Sequence, residues 1–139
     1  MPIPAFYCDD CGKYIITPET IGKVKEIVEV EGTDAWWSRS TEELLPEDFH
    51  CPYCGGQKFH KEKDIMDVWF DSGTTWNGVL KNPHEEWKKQ QVTYPCDLYL
   101  EGSDQHRGWF QSSLLSSVAA NGTAPYKACL LYTSPSPRD

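Results

Sequence analysis

Cys8, Cys11, Cys51 and Cys54 stand in two Cys-x-x-Cys pairs with 39 residues between them. A two-residue spacer lets both thiolates of a pair face one ion, and two pairs complete the tetrahedron that zinc prefers. Gly55 and Gly56 follow the second pair; glycine allows the tight turn that aims backbone amides at the sulfurs. Four thiolates leave no open coordination position, so zinc held there is structural. The gap between the pairs is longer than in a simple zinc ribbon, which requires an inserted helix to loop out between the two knuckles. Two disulfides are the competing use. No secretory signal peptide opens the chain, which points to a cytoplasmic setting, where metal thiolates outlast disulfides. Neither pair has the strand-to-helix setting of a redox Cys-x-x-Cys. Cys96 has no partner and reads as a small buried residue.

The second concentration of chemistry is LYLEGSDQHRGWFQSSLL, residues 98–115. An apolar strand breaks into polar and charged residues and resumes as a helix. In open α/β sheets, ligands bind beyond the carboxyl ends of the strands. Glu101 ends the strand, Gly102 permits close approach of a ligand to the backbone, and Ser103 is placed to cap the helix. Gln105 and Trp109 are four apart and share one helical face. A carboxylate, an amide and an indole then converge, able to hold hydroxyls or an ammonium and to cover an apolar group. The competing reading is a polar helix start, with Asp104 complementing the dipole and Trp109 in the core.

These groups need elements to position them. Residues 6–16 alternate around the first Cys pair and suggest a hairpin. Thr17, Pro18 and Glu19 open a helix whose face is Ile21, Val24 and Val28 and which Gly32 stops. Ser40-x-x-Glu43 is a capping box. IMDVWFD, 65–71, alternates as a strand that puts Asp67, Trp69 and Asp71 on one face, so Trp69 walls the same pocket if the two strands are neighbours. Asn82-Pro83-x-Glu85 starts a further helix, and strand 97–101 with helix 104–120, ended by Asn121-Gly122, completes the series.

Composition bounds the reading. A net charge of −8 over 139 residues argues against this chain gripping phosphates by itself. No run of about 18 apolar residues is present, so no membrane span is expected.

Asp67-Val68-Trp69-Phe70-Asp71-Ser72-Gly73, then Leu100-Glu101-Gly102-Ser103-Asp104-Gln105-His106-Arg107-Gly108-Trp109-Phe110, resembles the isoleucyl-tRNA synthetases. Pro2-Ile3-Pro4-Ala5-Phe6-Tyr7-Cys8 and Ala124-Pro125-Tyr126-Lys127 are similar too, so the likeness covers residues 2–128. The resemblance implies an α/β fold: part of a Rossmann-type class I synthetase catalytic domain with a zinc-ribbon-like insertion. Residues 1–63 would be the zinc-bearing insertion and 64–128 the second half of the catalytic domain. It further implies that Glu101, Gly102, Asp104, Gln105 and Trp109 contact the aminoacyl-adenylate and that Trp69 lines the isoleucine pocket. The substrates implied are isoleucine, ATP with Mg2+ and tRNA(Ile), handled by a cytoplasmic, monomeric enzyme. At Trp76 the family more often has histidine, which leaves that position's role open.

The family's His-Ile-Gly-His and Lys-Met-Ser-Lys-Ser motifs and its editing domain are not in these residues, so the chain alone is expected to make no isoleucyl-adenylate. The tail from Cys129 to Asp139, with Ser134-Pro135-Ser136-Pro137, reads as sequencing-adapter read-through, and Met1 as an internal methionine. The alternative to the synthetase is a free-standing zinc-ribbon α/β binding module without catalysis.

Overall fold

Helix α1, Pro18–Glu31, begins where local chemistry dictates. The Thr17 side chain accepts from Thr20 N–H (3.2 Å) and the Thr20 side chain accepts from Thr17 N–H (3.0 Å), satisfying two of the orphan donors of the first turn. Thr20, Val24 and Ile27 are its buried face, and Gly32 closes it by donating to Val28 O. The computed structural model, which describes residues 1–90 and 92–132, divides the chain into two compact units, Met1–Met66 and Asp67–Asp139.

In the first unit β1 (Phe6–Cys8) is the middle strand of a three-stranded antiparallel sheet, with β2 (Tyr14–Ile15) on one side and β3 (Phe59–Lys61) on the other. The expected hairpin is therefore present, with Tyr7 opposite Tyr14. Between β2 and β3 the chain loops out through α1, a short α2 (Ala35–Ser38) and α3 (Thr41–Leu44). Ser40 and Glu43 form the capping box that starts α3. Phe6, Ile15, Val24, Ile27, Trp36, Leu44 and Leu45 make one core together with Cys8 and Cys51.

The second unit corrects several expectations. Residues 65–71 are not a strand. Ile65 alone bridges to Pro2 within the first unit, and Val68–Gly73 is a helix, α4. The Asp67 carboxylate accepts from Trp69 N–H (2.8 Å), and this N-cap outweighs a seven-residue alternation that is short enough to suit either element. A π-helical turn, Trp76–Lys81, then precedes α5, Glu85–Lys88, which His84 caps in place of Asn82. Trp76 is buried, and its indole N–H donates to Ser116 Oγ (3.0 Å), so it is a core residue of this unit.

Strand β4 (Cys96–Gly102) pairs in parallel with β5 (Tyr126–Tyr132), not with residues 65–71. Between them run a 3-10 turn, Ser103–Arg107, and helix α6, Trp109–Asn121, ended by Gly122 in the left-handed conformation. This is a strand–helix–strand crossover, the connection that parallel strands need. The expected single helix 104–120 is thus two pieces broken at Gly108, and Ser103 makes no side-chain cap. Strand β5 continues through Tyr132, into the stretch read as tail; residues 133–139, with the Ser-Pro-Ser-Pro run, lie outside the described residues. The architecture is mixed α/β, and among the described residues no helix is long and apolar enough to cross a membrane.

Candidate functional site

The two cysteine pairs meet. Cys8 Sγ lies 3.6 Å from Cys54 Sγ and Cys11 Sγ 3.7 Å from Cys51 Sγ, and all four sulfurs fall within 4.8 Å of one another. Thiolates about 2.3 Å from one tetrahedral ion stand roughly 3.8 Å apart, so these donors fit a metal. The knuckles are built alike. Gly12 N–H donates to Cys8 O and Gly55 N–H to Cys51 O, both at 2.8 Å, while Cys8 N–H donates to Lys13 O (3.1 Å) and Cys51 N–H to Gly56 O (2.8 Å). Each turn needs a left-handed residue directly after its second cysteine, and Gly12 (φ 66°) and Gly55 (φ 76°) supply it. Gly12 was not singled out in the sequence, although its position mirrors that of Gly55. The ammonium of Lys13, beyond the first knuckle, sits 4.4 Å above the ring of Tyr53 within the second.

The turns also tune the thiols. Burial raises the Cys51 thiol, but the amides of Tyr53 and Cys54 and the neighbouring thiols Cys54 and Cys11 outweigh it and bring it down to about 7. At Cys54 the Gly56 amide pulls down, yet burial and the thiols of Cys11, Cys8 and Cys51 push it up to about 12. Once one sulfur of the cluster carries charge, the next resists ionising. A cation among them removes that resistance, and all four can then be thiolates.

The hinge after β4 is held by short contacts. The Glu101 carboxylate accepts from Gly102 N–H (3.2 Å). Asp104 Oδ1 stands 2.8 Å from where a side-chain carbon on Gly102 would lie, and Asp104 Oδ2 accepts from Gln105 Nε2 (3.0 Å). Gln105 Oε1 accepts from Trp109 N–H (2.9 Å), which caps α6 in the role expected of Ser103. Gln105 and Trp109 therefore meet through a hydrogen bond from backbone N–H to side-chain amide oxygen and not as two side chains on one helical face. The indole of Trp69, arriving on α4, rests against Gly108 beside Gln105. It is 47% exposed and Trp109 is half-buried, so neither indole is sealed in a core. The structure brings Trp69, Gln105, Gly108 and Trp109 together and strings Glu101, Gly102 and Asp104 along the strand end.

Three neighbours were missed. Tyr99 stacks on Trp109, with ring centroids 4.2 Å apart and planes at 6°. The Trp109 indole N–H donates to Ser72 O (3.1 Å) and faces Thr75 Oγ1 (3.4 Å). Only Tyr99 left a signal, since it lies two residues before Glu101 on the same face of the strand.

A side-chain carbon on Gly108 would lie 2.7 Å from Gln105 Oε1 and 3.0 Å from Trp69 Cη2. Gly108→Ala is expected to displace Gln105 from the α6 amide and lower stability by about 1–2 kcal/mol, the worth of a lost cap. Gly78, with nothing within 4 Å of that position, is the control. Equal denaturant midpoints for the two alanine variants would refute this packing.

The family model of class I tRNA synthetases (I, L, M and V) matches residues 1–134. The chain belongs to this family. Among class I synthetases it is similar to the isoleucine–tRNA ligases of Carboxydothermus hydrogenoformans (58% identical), Desulfitobacterium hafniense (60%) and Gloeobacter violaceus (54%), in each case over 132 residues. The alignments cover 95% of this chain and only 13–14% of those ligases, so it spans about a seventh of their length. Both cysteine knuckles and the whole hinge fall inside the synthetase match.

Proposed function

We propose that the chain is part of an isoleucine–tRNA ligase, which activates isoleucine with ATP and Mg2+ as isoleucyl-adenylate and transfers it to tRNA(Ile). The observation that carries this reading is the identity of 54–60% to isoleucine–tRNA ligases across 95% of the chain. The parallel β4–α6–β5 crossover, with its polar hinge at the carboxyl end of β4, supports a Rossmann-type catalytic domain, in which ligands lie beyond that end.

The roles are those the resemblance implies, and the groups present suit them. Glu101 offers a carboxylate to an ammonium at the strand end, Gly102 admits a ligand close to the backbone, and Asp104 and Gln105 supply acceptors and an amide donor. Trp109 covers an apolar group, and Trp69 walls the isoleucine side chain. These residues bind and orient; the reaction depends on positioning and charge stabilisation more than on a general base. Cys8, Cys11, Cys51 and Cys54 hold a structural zinc, with no open position for substrate.

The test grafts residues 1–132 of this chain in place of the matching segment of the Carboxydothermus ligase. The chimera is expected to catalyse isoleucine-dependent pyrophosphate exchange, at a rate that Gln105→Ala lowers. A folded chimera without isoleucine-dependent exchange would defeat the reading.

A further inference from the structure

We propose that Tyr99 is a positioning residue that fixes the plane of Trp109 and thereby sets the affinity for isoleucine. This rests on the ligase reading above, in which Trp109 covers the apolar part of the ligand.

Trp109 is held from three directions. Gln105 Oε1 takes its backbone N–H at 2.9 Å, Ser72 O takes its indole N–H at 3.1 Å, and Tyr99 lies parallel to one face of its ring at 4.2 Å. The first two constrain the backbone and one edge of the indole. Neither stops the ring from tilting about its anchored N–H. The stack does, because a parallel ring at contact distance admits no tilt toward it.

A platform steadies another ring only if it is itself immobile. Tyr99 is 4% exposed, with Tyr126 packed at 4.7 Å and Phe110 at 6.3 Å between ring centroids. Burial pushes its phenol up to about 12, so the ring stays neutral throughout the range in which enzymes work. It stands on the middle of β4, whose neighbours Leu98 and Leu100 are paired in register with Ala128 and Leu130 of β5. The strand fixes Tyr99, Tyr99 fixes the indole, and the indole meets the ligand. Tyr99 acts through Trp109 and is assigned no contact of its own with substrate.

The Carboxydothermus chimera described above supplies the test, with Tyr99→Phe and Tyr99→Leu compared by pyrophosphate exchange at varied isoleucine and varied ATP. Tyr99→Leu is expected to raise the isoleucine KM roughly tenfold, about what an aromatic pair contributes beyond its buried area, and to leave the ATP KM within about twofold. Tyr99→Phe keeps the ring and is expected to stay within about twofold of the parent on both. A merely structural tyrosine would lower the melting temperature and shift kcat or both KM values together. Tyr99→Met, which fills space flexibly without a ring plane, replaces Tyr99→Leu if the latter does not fold. An unchanged isoleucine KM in a folded ringless variant, parallel changes in both KM values, failure of Tyr99→Phe to restore the parent, or failure of both ringless variants to fold would each overturn the proposal. If the unmutated chimera shows no isoleucine-dependent exchange, the ligase reading itself fails; if it is active and Tyr99→Leu is indistinguishable from it, only the role of Tyr99 falls.

Discussion

Cys51→Ala is expected to unfold the first unit of the chain and to abolish the metal binding proposed for the cysteine cluster. Cys51 is 3% exposed and belongs at once to the sulfur cluster and to the apolar core with Phe6, Trp36 and Leu44. A unit of 66 residues buries too small a fraction of its surface to be robust without a staple. Structural zinc in comparable small domains contributes an apparent binding free energy of about 10–16 kcal/mol near neutral pH, as large as the whole stability of an ordinary domain. Losing one of four thiolates forfeits much of that term and leaves a cavity in the core. Circular dichroism melting and metal mass spectrometry on protein purified without chelator give the readout. Cys96→Ala, at the start of β4 and outside the cluster, should keep both metal content and melting curve. Acid acts in the same direction as the mutation. The metal requires thiolates, so protons compete with it and its occupancy falls as pH falls. Metal retained at the parent level in Cys51→Ala would show that the cysteines are not its ligands.

What was legible in the sequence was what short-range chemistry decides. Thr17 and Ser40 announce their helices because a cap is a contract among four consecutive residues. The cysteine spacing announces its ligand geometry for the same reason. Residues 65–71 misled because an alternation that short is ambiguous, and the deciding group was the single carboxylate of Asp67, read as one member of a strand face. The break at Gly108 was hidden because a single glycine does not by itself end a helix. The platform under Trp109 was largely invisible. Tyr99 reaches it across the 3-10 turn, and Ser72 binds it through a backbone carbonyl 37 residues away, which side-chain type does not encode.

Trp36→Ala is expected to be the most damaging substitution outside the cysteines, and to weaken metal binding without touching a ligand. Trp36 is fully buried, with the Phe6 ring at 5.3 Å, and its indole N–H donates to Glu62 O at 3.1 Å. The ammonium of Lys61, on β3, donates to Trp36 O and to Arg39 O, capping the end of α2 in return. Two side chains thus clasp α2 to β3 and to Glu62, the residue that follows it, on the segment that leads away from the second knuckle. Truncating a buried tryptophan costs about 3–5 kcal/mol. Trp36→Phe keeps most of the volume but leaves the Glu62 carbonyl unpaired, for about 1–3 kcal/mol. Metal binding is linked to folding, so a destabilised scaffold gives up part of the binding free energy to order itself. Competition with a chromogenic chelator should therefore rank apparent affinity as parent, then Trp36→Phe, then Trp36→Ala, parallel to the melting temperatures. Tyr53→Ala is the counter-test. It lies within the second knuckle, closer in sequence to the ligands, yet its ring is 58% exposed and meets only the flexible ammonium of Lys13 among the contacts described. Exposed substitutions of that kind stay within about 0.5 kcal/mol. If Tyr53→Ala released metal more readily than Trp36→Ala, the knuckles would be self-sufficient and the core beneath them irrelevant to the site. The sharing of Cys8 and Cys51 between cluster and core argues for the opposite order.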